Sequence, residues 1–212
     1  VFGVIVFAVY YVDNYRHPLG FTYQNVWNVQ VGIQQKMDQS DKQQNLDTGK
    51  QMLATLKDFS EIEAVAAVTL APYSRGNWQS GNTINGRNVR FWMNHMTDEA
   101  KDVFDIQMAR GRWFGKEDDG GDYKPVILNR MTAREIFGDE DPLGKNIIDK
   151  FEEKERVNRD GTKRKEERVI GIIDDFRKNG EFKALNGVFS AEFGRGPLAR
   201  AGDVLTELAD LH

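Results

Sequence analysis

The sequence predicts an α+β fold. Trp27, Val29, Val31 and Ile33 alternate with Asn28, Gln30 and Gly32, the period of a half-buried strand. Asp47 can cap a helix carrying Met52, Leu53, Leu56 and Phe59 at helical spacing, and Ile62 to Leu70 returns as an apolar, Val-rich strand before Pro72, which completes one β-α-β unit. The composition agrees: 212 residues with 40% hydrophobic and 29% charged content are enough for a buried core and too apolar for disorder.

Beyond that unit, Gly, Asn, Ser and Thr between Tyr73 and Gly86 mark a boundary or a long turn. Val89 to Met93 reads as a strand. Thr97, Asp98 and Glu99 then open a short helix expected to carry Val103, Phe104 and Met108. The stretch ARGRWFGKEDDGGD is turn-rich, and Lys124 to Leu128 is another strand. Asn129 can cap a helix from Met131 to Phe137, which Gly138 ends and Pro142 keeps from resuming, while Gly144 lets the chain turn into a further strand at Ile147. FEEKERVNRDGTKRKEERVIGIIDDF has the form of a charged hairpin over residues 151–168, with Asp160-Gly161 at its turn and a buried strand from Val169 to Ile173 behind it. Val204, Leu205, Leu208 and Leu211 space a closing amphipathic helix over Asp203 to Leu211.

The chain opens VFGVIVFAVYYV, twelve residues without a charge, followed by Asp13, Asn14, Tyr15 and Arg16. As a helix these cover about 18 Å of a hydrocarbon layer about 30 Å thick. The first residue is not Met, and Tyr10, Tyr11 and Tyr15 beside Arg16 form the aromatic and charged fringe of a helix leaving a bilayer. The expectation is the end of a transmembrane helix over residues 1–16. A buried strand is the alternative, and a signal peptide lacks its small-residue cleavage site.

Several chemistries are excluded or lack a foothold. A net charge of −4 argues against a nucleic-acid surface, and the absence of cysteine excludes disulfides, thiolate metal sites and cysteine nucleophiles. His17, His95 and His212 lie far apart and form no metal-binding pattern. FGDEDPLGKNI imitates a phosphate-binding loop, but it has five residues between its glycines, Asn146 in place of Ser or Thr, and Asp139, Glu140, Asp141 and Pro142 where backbone donors are needed. Glu117 to Asp122 lacks the alternation of a calcium loop. Asp174-Asp175 at a strand end has no recognisable partner, and Ser74, Ser80 and Ser190 lack a nucleophile elbow. No catalytic, cofactor-binding or metal site is read from these residues.

The order of the segments resembles a known family. Gly111, Arg112 and Phe114 with Asp118; Val126 to Asn129 and Ala133 to Phe137; Asp141, Pro142, Gly144 and Lys145; and Val169, Gly171, Asp175 and Phe176 follow the phrases of the MacB-like periplasmic core domain of FtsX-type ABC transporter permeases. The resemblance is clear from Phe91 to Phe182, extends back to Val1 and fades after Gly194. It implies a two-lobed domain behind the end of a first transmembrane helix and stalk at 1–16. One porter-like α+β lobe would comprise 17–75 with 183–212, and an inserted mixed α/β lobe 76–182. It also implies a bacterial inner-membrane location with this domain on the periplasmic side, a cytoplasmic ATPase partner, a homodimer, no nucleic acid, no cofactor and no enzymatic activity of its own. ATP-driven motion would pass through the domain for export or for lipoprotein or peptide handling. An extracytoplasmic ligand-sensing domain of a membrane signalling protein is the alternative reading.

Overall fold

The computed structural model describes residues 2–29, 39–74, 79–119, 121–158, 161–174, 176–180 and 187–190. Helix α1 spans Phe2–Arg16 and α2 spans Gln39–Lys57. Strands β1 (Gln79–Ile84) and β2 (Arg87–His95), the short helix α3 (Ala100–Val103) and β3 (Met108–Gly111) follow. The chain then forms β4 (Lys124–Asn129), α4 (Arg130–Phe137), β5 (Glu167–Ile173) and β6 (Gly187–Ser190).

The strands form one mixed sheet in the order β1-β2-β6-β4-β5-β3. β4 pairs in parallel with β5 and antiparallel with β6, while β2 pairs in parallel with β6. A strand inside such a sheet is covered on both faces, which is why Val126, Ile127 and Leu128 are a continuous apolar run. Their side chains alternate between two cores. Val126 and Leu128 join Val89, Phe91, Ile136 and Phe137 of α4 and Phe151 on one face, and Ile127 joins Met96, Phe104, Trp113, Phe176 and Phe189 on the other. In β5, Val169 and Ile172 share a face although they are three residues apart. A register shift explains it: Val126 pairs with Val169, but Ile127 pairs with Gly171, so β5 carries an extra residue.

Local signals fix the ends of α4. The Asn129 side chain accepts the Thr132 N–H at 2.9 Å, and Gly138 at φ 65° donates its N–H to the Arg134 carbonyl at 2.8 Å. Between β1 and β2, Asn85 and Gly86 both have positive φ, at 50° and 74°, the turn that suits a two-residue hairpin. The segment expected to be a boundary or long turn therefore contains strand β1.

Other expectations are corrected. Trp27 to Val29 form no strand, and Trp27 is 90% exposed; the rest of that alternating run lies outside the described residues. Helix α2 begins at Gln39, so Asp47 is inside it and not at its cap, and Phe59 lies beyond its end. Ile62 to Leu70 is no sheet strand: only Val68 bridges, to Met96, where Thr69 donates to the His95 carbonyl and Thr97 to the Ala67 carbonyl, and beyond that bridge the Asn94 side chain bonds both the N–H and the carbonyl of Leu70. Of the expected β-α-β unit, the helix is thus the regular element. Met108 belongs to β3, since α3 ends at Val103. Ile147 starts a 3₁₀ turn, not a strand. In the charged segment 151–168 a 3₁₀ turn at Glu153–Glu155 and one bridge, Val157 to Lys163, replace long hairpin arms; Gly161 has φ 82°, and Asp160 lies outside the described residues. Residues 187–190, grouped by sequence with 17–75, run as β6 between β2 and β4. The helix expected over 203–211 also lies outside the described residues.

Asn129→Ala should cost about 1 kcal/mol, the usual loss for a side-chain cap, measured by chemical denaturation. The loss should be larger than for an exposed position of α4 such as Arg134→Ala, because the Thr132 N–H it satisfies is buried.

Candidate functional site

Six of the residues that carry the family resemblance, Gly111, Arg112, Pro142, Gly144, Val169 and Gly171, converge on one junction beside β5. Gly111 ends β3 with φ 71°; a Cβ there would overlap the Ile170 carbonyl and come within 2.9 Å of the Gly171 Cα and of Leu143. At Gly171 a Cβ would overlap the Arg112 carbonyl. The two glycines let the backbones touch, and Arg112 N–H bonds the Ile170 carbonyl at 3.1 Å. From the other side, Gly144 donates to the Val169 carbonyl at 2.8 Å, and Val169 donates back to the Lys145 carbonyl at 2.9 Å. Pro142 and Val169 are buried. Gly111, Arg112, Pro142, Gly144, Val169 and Gly171 are therefore one packed backbone crossing, with no room for a ligand between its chains.

Arg112 leaves that crossing as a fork. Its two terminal nitrogens each lie 2.7 Å from one oxygen of Asp118, whose side chain is fully buried, and Asp118 also accepts from the Gly115 N–H at 3.1 Å and the Tyr123 hydroxyl at 3.2 Å. Burial acts to raise the Asp118 carboxyl, but the Arg112 fork, the Gly115 N–H and Tyr123 outweigh it and hold it below the usual carboxylate range. The same pairing raises the Arg112 guanidinium. The pair folds the acidic turn back on itself and sets the neighbouring aromatics. Trp113 and Phe114 pack with ring centroids 4.9 Å apart, and Trp113 Nε1 donates to the Asp98 carbonyl at 2.9 Å.

The glycine-lysine loop uses its charges internally. Glu140 pairs with Lys145 at 2.6 Å and Lys150 at 3.6 Å, while both ammonium groups stand over the Phe137 ring at 5.7 and 5.6 Å. Asp141 accepts the Leu143 N–H at 3.1 Å and pairs with Arg110 at 2.8 Å. These contacts lower both carboxyls: the Lys145 bond leads at Glu140 and the Leu143 N–H at Asp141. Asn146, where a phosphate loop has a hydroxyl, accepts the N–H groups of Ile148 and Glu167, both at 3.0 Å, and so ties the loop to β5.

Phe176 stands apart from the crossing, in the second core, with ring centroids 4.9 Å from Phe21 and 5.3 Å from Phe189. Asp175 lies outside the described residues, and its neighbour Asp174 pairs with Arg130. Sequence reasoning missed the residues next to Phe176. Lys178 is fully buried, donates to the Ser74 carbonyl at 3.2 Å and lies 5.3 Å from the Trp92 ring; burial pushes its ammonium down. Arg177 is 7% exposed and bonds the N-terminal segment. Both stand in a polar stretch, RKNG, that carries no periodic signal of burial. Among the described residues no group of three or more His, Asp or Glu side chains is placed to hold a metal ion.

The sequence model of the MacB-like periplasmic core domain matches residues 1–200. The chain belongs to this family. Curated proteins provide no match to this MacB-like domain. Among solved structures it is similar to the periplasmic region of MacB from Actinobacillus actinomycetemcomitans, at 17% identity and a TM-score of 0.37, over 66% of this chain and 54% of that one. It is also similar to the extracellular domain of the noncanonic ABC-type transporter YknZ from Gram-positive bacteria, at 17% identity and a TM-score of 0.43, over 67% and 61%. The matched part is thus little more than half the length of these solved domains.

Two outcomes test the crossing. Gly171→Ala should destabilise the MacB-like domain by about 1–3 kcal/mol in chemical denaturation, the range for forcing atoms into a filled space. Asp118→Asn should cost about 1–3 kcal/mol at pH 7. A lowered carboxyl contributes stability above its unfolded pKa of about 3.9 and loses it as the pH falls through the lower folded value. Acid titration of the unfolding free energy should therefore drop below about pH 4 in the native chain and be flatter there in Asp118→Asn.

Proposed function

We propose that this MacB-like domain is the extracytoplasmic part of an ABC transporter permease and passes movement of its membrane helices into the body outside the membrane. The observation that carries this reading is α1. Phe2, Val4, Ile5, Val6, Phe7 and Val9 are all more than half exposed, and none of α1 is buried in the fold. Such a surface in water forfeits about 25 cal/mol for each Å² of apolar area, so it calls for an apolar cover. No helix of the described residues is long and apolar enough to cross a membrane. On this reading α1, at about 1.5 Å per residue, supplies the outer turns of a membrane helix, with Tyr10, Tyr11, Tyr15 and Arg16 at the interface.

On this reading the protein resides in the bacterial inner membrane and works as a homodimer with a cytoplasmic ATPase. The sheet, with β6 added from beyond the insertion, would be the body of the inserted lobe, and residues 17–75, which reach its second core through Phe21, would lie nearer the membrane. The crossing of Gly111, Arg112, Gly144 and Gly171 serves as a stiff node in the body, suited to transmitting displacement because backbone contacts there have no slack. Export, or handling of lipoproteins or peptides, is the work such a part would support.

The experiment uses the full-length protein in membranes. These 212 residues hold no cysteine, so a single cysteine at the exposed Lys116, with any cysteine elsewhere in the full-length protein replaced, gives an unambiguous label. A membrane-impermeant maleimide should label it from the periplasmic side of intact cells, and the protein should purify with an ATP-hydrolysing subunit. Labelling only after lysis, or co-purification with a histidine kinase module instead, would overturn the reading, and the second result would favour a sensor.

A further inference from the structure

We propose that Arg177 is the positioning residue that clamps the end of α1 to the sheet, so that α1 and β5 move as one piece; this rests on the reading of α1 as the element that brings movement into the domain. Arg177 follows β5 by a few residues and comes directly after Phe176, whose ring is fixed in the second core against Phe21 and Phe189. Its N–H donates to the Leu19 carbonyl at 2.8 Å, and its guanidinium reaches back to the Asn14 carbonyl at 3.3 Å. Asn14 lies in the last turn of α1, where helix carbonyls lack partners of their own and a positive charge is favoured by the helix dipole. Asn14 is also the one residue of α1, among those described, that is partly covered.

The segment around Arg177 cannot shift easily to follow a loose helix. Lys178 accepts the Tyr73 N–H at 2.8 Å through its carbonyl, and Gly180 donates to the Arg177 carbonyl at 2.8 Å. Tyr73 has φ 60°, an unusual backbone state for a residue with a side chain, and its ring packs on Phe21 at 5.9 Å. Phe21 in turn follows Leu19, the other acceptor of Arg177. The helix end, the start of the next segment and the strand end thus meet at one nearly buried residue, the first through its guanidinium and the second through its backbone N–H. The rigid, planar guanidinium meets the Asn14 carbonyl in a fixed direction, which a flexible ammonium does not reproduce.

The test uses the full-length protein with its ATPase in lipid, carrying nitroxides at Val9→Cys on α1 and Arg134→Cys on α4. The native protein should give a narrow distance distribution. Arg177→Ala should broaden it at least twofold and speed amide exchange in peptides covering 13–22 and 176–180 by about tenfold, with exchange in β4 unchanged. A native-like width with intact β4 protection overturns the clamp. Where Arg177→Ala also loses β4 protection, Arg177→Lys decides: a broadened distribution supports the clamp and a native one overturns it. Failure of the transport reading shows separately, as an Arg134→Cys nitroxide whose distance from the lipid headgroups does not change when ATP is supplied; the α1–α4 distance of the native pair should itself stay fixed through the cycle.

Discussion

Contact between the backbones of β3 and β5 governs the rest of the body. Because neither Gly111 nor Gly171 has a Cβ, the Arg112 carbonyl and the Ile170 carbonyl can sit where side chains would stand. The extra residue in β5 is accommodated at the same place, and it returns Ile172 and Ile173 to opposite cores. Displacing either strand by the width of a methyl group would disturb three things together: the bonds that bring Gly144 and Lys145 onto Val169, the direction in which Arg112 meets Asp118, and the sorting of β5 side chains between the two faces. That dependence explains why short phrases scattered over sixty positions of sequence, each weak alone, act as a set.

Side-chain amides complete the parts that the sheet does not reach. Asn94 pairs with Leu70 as a strand neighbour would, Asn146 satisfies the amides of Ile148 and Glu167, and Asn129 satisfies that of Thr132. A buried backbone group without a partner is costly, so irregular chain can lie against a core only where something substitutes for the missing ladder. Three asparagines do this on both faces, and they allow loops to cover the sheet without becoming strands.

This division explains what was legible in the sequence. β2, β4, β5 and α4 were readable because their side chains are sorted by burial: Val126 to Leu128 as a continuous run, Asn129 and Gly138 as start and stop. β1 was missed since an edge strand of Gln, Ser, Gly, Asn and Thr has little apolar pattern, although Asn85-Gly86 is a strong hairpin signal. Ile62 to Leu70 misled for the opposite reason: its apolar residues are real contacts, but its hydrogen bonding, which hydrophobic pattern does not report, is a single bridge at Val68 and a side-chain pair at Leu70. The motif glycines were found from resemblance, whereas their reason, the absence of space at Gly111 and Gly171, depends on chains distant in sequence. Lys178 and Arg177 were not singled out because long polar side chains give no sign of burial when their partners are carbonyls.

The place of β6 has a consequence for biosynthesis. It is the last strand among the described residues yet lies third in the sheet, between β2 and β4. As the polypeptide emerges, β1 with β2 and β3 with β4 and β5 can assemble first, but each half then presents an open inner edge with no partner until residue 187 has been made. Open edges are where chains add to one another wrongly. A domain built this way needs its nascent form shielded until nearly the whole of it is available, and a ribosome that stalled before β6 would release two sticky halves instead of a shortened but orderly sheet.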